Sequence, residues 1–320
     1  ALLSSVLSNT GTAAVLLPIC LGVAESSGVS RKWLLFTLAS ASGAGGMITM
    51  VGTPPNATVH SVLLQGGQAG FGFAEFAWIG VPVSAAALLF LASPLCRRLL
   101  GLSRRETAAP AAGRAEALPG EPEAGGSAGR QALSVAVLAA VVLVMATGWV
   151  PLGLAVDGSV VTGLLTAGEA VRAVDWSTIF LFAGTLALAE ALEATGVGGL
   201  IAGLVVAVCG GDVSYYVLIT VLFLACGLVT QFMSNTAACA LLAPIGMQIA
   251  QGLGVSPKSV LVVVAAAASS SYLTPMATPP NALIFGCGGF TFRDFLKAGL
   301  PLFLITYLLC LLIVPAVWPI

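Results

Sequence analysis

Ser234-Asn235-Thr236-Ala237-Ala238-Cys239-Ala240-Leu241-Leu242-Ala243-Pro244-Ile245 restates an earlier stretch of the same chain. That stretch is Ser8-Asn9-Thr10-Gly11-Thr12-Ala13-Ala14-Val15-Leu16-Leu17-Pro18-Ile19. A second phrase follows each copy: Gly52-Thr53-Pro54-Pro55-Asn56-Ala57 in the first half and Ala277-Thr278-Pro279-Pro280-Asn281-Ala282 in the second. The offsets agree to within one position, 226 for the serines (234 − 8) and 225 for the threonines (278 − 53). Two separate phrases repeated at one spacing read as a duplicated unit. In a membrane protein, hydrophobic segments interrupted at matching places in two halves point to a transporter's binding site.

Composition supplies the membrane. The chain has 320 residues, 58% hydrophobic and only 8% charged, against roughly 25% charged in a soluble domain. It reads as apolar spans joined by short polar links. The net charge of −1 carries no message about partners. No basic face with interleaved aromatics exists, which argues against nucleic acid. Cys20, Cys96, Cys209, Cys226, Cys239, Cys287 and Cys310 lack metal-ligand spacing and read as small apolar fillers.

Three parts are expected. Residues 1–100 form the later part of a first repeat, with a motif segment, a broken span and a further span. Residues 101–131 form a disordered cytoplasmic linker, since 103–130 is rich in Ala, Gly, Pro, Glu and Arg without aromatics or hydrophobic periodicity. Residues 132–320 form the second repeat. Only Ala1–Leu7 precedes the first motif, whereas Tyr215–Met233 leads to the second. That imbalance predicts a longer natural N-terminus.

Counting crossings gives the topology. Each motif segment is taken as a hairpin entering and leaving on one side. Five spans lie between them: Trp33–Gln65, Trp78–Cys96, Gln131–Val150, Trp176–Ala194 and Val197–Cys209. Five is odd, so the second hairpin enters from the opposite face. Arg293, Asp294 and Lys297 are read as a link before a last span, Ala298–Trp318. The expected fold is an all-α polytopic membrane protein, an inverted-topology repeat with two re-entrant helical hairpins and two broken helices. Charge placement agrees. Arg31, Lys32, Arg97, Arg98, Arg104, Arg105, Arg114, Arg130, Arg293 and Lys297 fall on one face, and only Arg172 and Lys258 on the other. The positive-inside rule makes the first face cytoplasmic. Trp33, Trp78, Trp149, Trp176 and Trp318 stand at span ends, where interface anchors belong.

The repeated phrases carry the chemistry. A break at mid-membrane survives only where its freed backbone groups find partners or line a cavity. Ser, Asn and Thr in a row offer hard oxygens suited to an alkali cation. The helix that starts after each tip turns its positive end toward the same place, which suits an anion. Ser4 and Thr230 each stand four residues before a motif serine and so lie on the tip's face. Taken singly, each Ser-Asn-Thr is an ordinary helix cap and each Pro-Pro an ordinary kink; matched duplication is what lifts them above that. No charged side chain stands at either phrase, which favours Na⁺ over proton coupling. His60, Glu190 and Glu193 read as residues near span ends.

At these residues the chain resembles the divalent anion/sodium symporter family, the solute carrier 13 type, over nearly its whole length apart from the linker. Gly288-Gly289-Phe290-Thr291-Phe292-Arg293-Asp294-Phe295-Leu296-Lys297-Ala298-Gly299-Leu300-Pro301-Leu302 adds to the likeness. The resemblance implies a homodimer at the plasma (inner) membrane, with a scaffold and a moving transport domain. It implies Na⁺-coupled symport of a dicarboxylate, citrate or sulfate, no other cofactor and no enzymatic activity. One sodium site would use Ser4, Ser8, Asn9 and the Gly52 carbonyl. The other would use Thr230, the Met233 carbonyl, Asn235 and the Ala277 carbonyl. Substrate would meet Asn9, Thr10, Ser234, Asn235 and Thr236, with Thr53, Pro54, Thr278 and Pro279 nearby. The chain departs from the family in lacking its leading spans and the first arm of its first hairpin. Other readings stay open: an anion exchanger or metalloid-oxyanion efflux permease of related fold, a fragment without transport activity, and a membrane enzyme, for which no nucleophile–base pair or metal cluster is visible.

Overall fold

Pro54-Pro55 and Pro279-Pro280 begin helices rather than merely kinking them. Proline suits the first turn, where its missing N–H leaves no bond unmade and its fixed φ is already helical. The computed structural model describes residues 1–102 and 214–318, with isolated positions between 180 and 203. The expected linker and the expected spans at 131–150, 176–194 and 197–209 lie outside the described residues, as do the parity of crossings and the domain boundaries drawn from them.

Among the described residues all regular structure is helical. A 3-10 turn at Leu3–Ser5 leads to α1 (Asn9–Ser27), α2 (Arg31–Gly46), α3 (Pro54–Gln65), α4 (Ala77–Ala92) and α5 (Pro94–Leu99). The second set is α6 (Tyr215–Val229), α7 (Asn235–Leu253), α8 (Pro257–Ser269), α9 (Pro279–Gly288) and α10 (Phe292–Val317). Helices α1, α7 and α10 are long and apolar enough to cross a membrane.

The two sets match locally. Helices α1 and α7 are both 19 residues long. Each is capped by its motif serine, Ser8 accepting from the Gly11 N–H and Ser234 from the Ala237 N–H. Each ends at a left-handed glycine, Gly28 (φ 63°) or Gly254 (φ 68°). The ordinary capping role of the motif serines is therefore real.

Between α2 and α3, and between α8 and α9, the backbone is irregular and largely buried. Its polar groups are met by side chains in the same way twice. Asn56 donates to the carbonyls of Met47 (3.4 Å) and Thr49 (2.9 Å). Asn281 donates to those of Ser271 (2.8 Å) and Thr274 (3.0 Å). Thr49 donates to the Ser5 carbonyl, as Thr274 does to the Gln231 carbonyl. The asparagine of each Pro-Pro-Asn phrase thus ties down the unwound stretch before its own helix. A helix crosses each stretch closely, because α4 and α10 present glycine there. A Cβ at Gly80 would strike the Met47 carbonyl, and one at Gly299 the Tyr272 carbonyl.

The two sets also exchange partners. Helix α3 packs on α7 and α8, while α9 packs on α1 and α2. A third repeated phrase, missed in the sequence reading, locks this exchange. Phe71-Gly72-Phe73-Ala74-Glu75-Phe76 corresponds to Phe290-Thr291-Phe292-Arg293-Asp294-Phe295. Lys32 pairs with Asp294 at 2.7 Å and lies 5.6 Å from the Phe290 ring. Lys258, 226 positions after Lys32 (258 − 32), pairs with Glu75 at 3.1 Å and lies 5.3 Å from the Phe71 ring. Each lysine starts a helix of one set and grips a carboxylate of the other.

Two expectations are corrected. Arg293, Asp294 and Lys297 are not a link: α10 starts at Phe292, because Thr291 and Asp294 form a capping box that nucleates the helix there. The span expected at Trp78–Cys96 breaks at Ser93, where Pro94 opens the short α5. Trp33 and Trp318 are structural as well as terminal. The first donates to the Leu91 carbonyl (2.8 Å) and the second to Glu75 (2.8 Å).

Glu75 lies in the loop before α4. Burial alone would raise its carboxyl, but hydrogen bonds from Trp318, Gly72 and Lys258 outweigh it and hold the group below the ordinary value of 4.5. Its contribution to stability is complete above that value and is lost as pH falls through the lower folded value. We expect Glu75→Gln to lower the thermal midpoint at neutral pH and to flatten its fall on acidification. Lys258→Met should cost up to about 1 kcal/mol, since the carboxylate keeps its hydrogen bonds from Trp318 and Gly72. Thermal unfolding in detergent across the acid range checks both.

Candidate oxygen-lined sites at the helix breaks

The first site grows from the 3-10 turn, the start of α1 and the end of α2. The Ser4 hydroxyl, buried, is 2.6 Å from Asn9 Oδ1 and 2.7 Å from the Ser42 carbonyl oxygen. It has one proton for two acceptors. The Ser42 hydroxyl donates to the Asn9 carbonyl at 2.9 Å and stands 3.3 Å from Ser4 Oγ. Gly46 makes room beside them: a Cβ there would overlap Asn9 Oδ1 and stand 3.0 Å from the Gly52 carbonyl oxygen. Asn9 Oδ1 and Gly52 O therefore flank one small volume.

The second site repeats this. Thr230 Oγ1, fully buried, is 3.0 Å from Asn235 Oδ1 and 2.8 Å from the Ala268 carbonyl oxygen. Again one proton faces two acceptors. Residue 268 corresponds to residue 42 at the same offset of 226 (268 − 42). Gln231 adds a brace, donating to the carbonyls of Gly227 (2.7 Å) and Ser270 (3.0 Å) and accepting from the Leu273 N–H (3.0 Å).

The residues read from the sequence fall into two layers. Ser4, Gly52, Thr53, Thr230, Asn235 and Ala277 are buried, with Asn9 half-buried. Ser8, Thr10, Pro54, Ser234 and Pro279 are exposed, and Thr236 and Thr278 half-buried. Met233 turns its side chain outward just before Ser234. Thr53 Oγ1 is buried without a hydrogen-bond partner among the described residues. Ser4 and Asn9 come together directly, as do Thr230 and Asn235. The two sets meet where Cys239 in the first turns of α7 donates to the Pro55 carbonyl at 3.5 Å. The start of one motif helix therefore lies on the Pro-Pro turn of the other set.

Sequence reasoning missed Ser42, Gly46, Ala268 and Gln231. Ser42 and Gly46 sit in a run of small residues in α2, Ala41 to Gly46, which reads as packing and gives no hint of the carbonyls it exposes. Among the described residues no three His, Cys, Asp or Glu side chains group as metal ligands. The sites are built of neutral oxygens, which suit a hard, singly charged cation rather than a transition metal. His60, in α3, sits against Gly70, whose missing side chain leaves room for its ring.

Comparison with known proteins agrees with this picture. A family model described as a citrate transporter, CitMHS, matches residues 1–257 and 214–320 in two overlapping stretches. An uncharacterized transporter of Haemophilus influenzae is 29% identical over 331 residues, covering 93% of this chain and 67% of that protein. An uncharacterized transporter of Synechocystis is 34% identical over 189 residues, 58% of this chain and 31% of that protein. A sodium-dependent dicarboxylate transporter of Staphylococcus saprophyticus is 26% identical over 361 residues, 98% of this chain and 66% of that protein. The chain thus spans from 31% to 67% of the length of these relatives. The family and these relatives are transporters rather than enzymes, and the resemblance read from the repeated phrases is borne out. With its apolar spanning helices, this chain is an integral membrane protein and belongs to the CitMHS citrate transporter family.

Proposed function

We propose that the protein carries a small di- or polyvalent anion, a dicarboxylate, citrate or sulfate, across the plasma membrane by Na⁺-coupled symport. The observation that carries this reading is the pair of matched oxygen clusters. In each, a hydroxyl with one proton stands between an amide oxygen and a main-chain carbonyl. Lone pairs outnumber protons, and a cation relieves that imbalance.

An anion entering an apolar interior uncompensated costs on the order of tens of kcal/mol. Two bound Na⁺ ions beside it neutralise a dianion. The helix starts after Ser8 and Ser234 supply N–H groups and positive dipole ends. Thr10, Ser234, Thr236 and Thr278, exposed or half-buried, form the anion's contacts, with Asn9, Asn235, Thr53, Pro54 and Pro279 around them. Ser4, Ser8, Asn9 and Gly52 hold one Na⁺; Thr230, Met233, Asn235 and Ala277 hold the other. The bacterial relatives favour the plasma membrane, and one of them is named for sodium-dependent dicarboxylate transport. The described unit moves against the rest of a homodimer in an elevator motion, with the two hairpins inserted from opposite faces.

The full-length protein in proteoliposomes tests this. An inward Na⁺ gradient should drive uptake of labelled succinate, citrate or sulfate. Uptake that persists undiminished with choline in place of Na⁺ would transfer the protein to the exchanger class. Asn9→Ala and Asn235→Ala should each reduce Na⁺-driven uptake about 30-fold or more, the scale expected for losing a buried polar ligand. Gly46→Ala should do likewise while every ligand residue is kept, because its methyl takes the volume between Asn9 Oδ1 and Gly52 O.

A further inference from the structure

The two clusters share a hydroxyl set between an asparagine Oδ1 and a main-chain carbonyl, but they are braced differently, and one difference falls on Ser42. Ser42 is buried in the first cluster, and its counterpart in the second is Ala268. Its hydroxyl donates to the carbonyl of Asn9, the residue that presents Oδ1 to the cluster. The second cluster has no such hydroxyl. Its brace is Gln231, where the first set has Ser5, and Gln231 grips the unwound stretch rather than the asparagine's main chain.

We infer that Ser42 is a positioning residue that makes the first cation site the tighter of the two. The inference rests on the cation-binding reading above and adds an order of filling to it. When a cation draws the lone pairs of Ser4 Oγ and Asn9 Oδ1, the Ser4 proton turns to the Ser42 carbonyl, 2.7 Å away. The Ser42 proton stays on the Asn9 carbonyl, 2.9 Å away. Every proton keeps an acceptor, and Asn9 is held before the ion arrives. A site held in its binding geometry loses less on binding than one that must be ordered. In the second cluster the Thr230 proton has the same exit, to the Ala268 carbonyl, but among the described residues no hydroxyl donates to the main chain of Asn235.

Alanine at this position suits the fold, since the second copy carries it in the same frame. The test uses purified full-length protein in nanodiscs. Thermal midpoints are titrated with NaCl against choline chloride, and substrate binding is measured at saturating Na⁺. Ser42→Ala should raise the Na⁺ concentration giving half the shift about fivefold to tenfold, the scale of one hydrogen bond. The midpoint in choline should fall only by the modest amount expected for one buried hydrogen bond, so that the change in Na⁺ response stands out from it. The double variant Ser42→Ala/Ala268→Ser, which moves the hydroxyl to the other cluster, should recover most of the lost Na⁺ sensitivity. An unchanged Na⁺ midpoint in Ser42→Ala overturns the inference alone. So does a double variant no better than the single one, or a Ser42→Ala variant that loses stability in choline without a change in Na⁺ response. A parent protein blind to Na⁺ overturns the coupling reading and this inference with it.

Discussion

Unwound backbone inside an apolar protein must find a partner for every polar group, and here that requirement organises the molecule. Unpaired, each group would cost several kcal/mol in a membrane interior. Asn56 and Asn281 satisfy the carbonyls that precede α3 and α9, and Thr49 and Thr274 tie the same stretches to the residues before α1 and α7. Once those demands are met, the oxygens left over are few and placed. Ser4 with Asn9, and Thr230 with Asn235, hold them in two clusters that keep fewer protons than acceptors.

Partner exchange carries this local order across the protein. Because α3 packs on the second set and α9 on the first, neither set completes its core alone. The Lys32–Asp294 and Lys258–Glu75 pairs fasten the exchange at the first turns of α2 and α8. Those are the helices whose far ends present the Ser42 and Ala268 carbonyls. Each lysine also lies over a phenylalanine, so its aliphatic stem is packed as well as its charge paired. Partly exposed ion pairs contribute modestly to stability. Their value here is in register: a shift of one set along the other would break both pairs together.

Much of this was legible in one dimension because duplication is a property of sequence. The offset shared by the Ser-Asn-Thr and Thr-Pro-Pro-Asn phrases located the breaks, the caps and, in each cluster, the hydroxyl and the asparagine, though not the Ser42 and Ala268 carbonyls they meet. The same logic had a third phrase within reach, Phe71 to Phe76 against Phe290 to Phe295, but its spacing differs (290 − 71 = 219), because the loop before it differs in length between the halves. That change of offset hid the match and led Arg293, Asp294 and Lys297 to be read as a connection, when Asp294 is both a helix cap and a lysine's partner.

The sequence by itself determined that this chain lies in a membrane, that two of its phrases recur, and that its helices break at neutral oxygen-bearing residues. Those conclusions depend on composition, on proline and on repetition, none of which needs neighbours in space. Only the tertiary structure decided which oxygens meet. The carbonyls of Ser42, Ala268 and Gly52 carry no side-chain signature, and Gly46 matters for an atom it lacks. A carbonyl joins an oxygen cluster, and a glycine becomes an opening, only when another segment is folded against it.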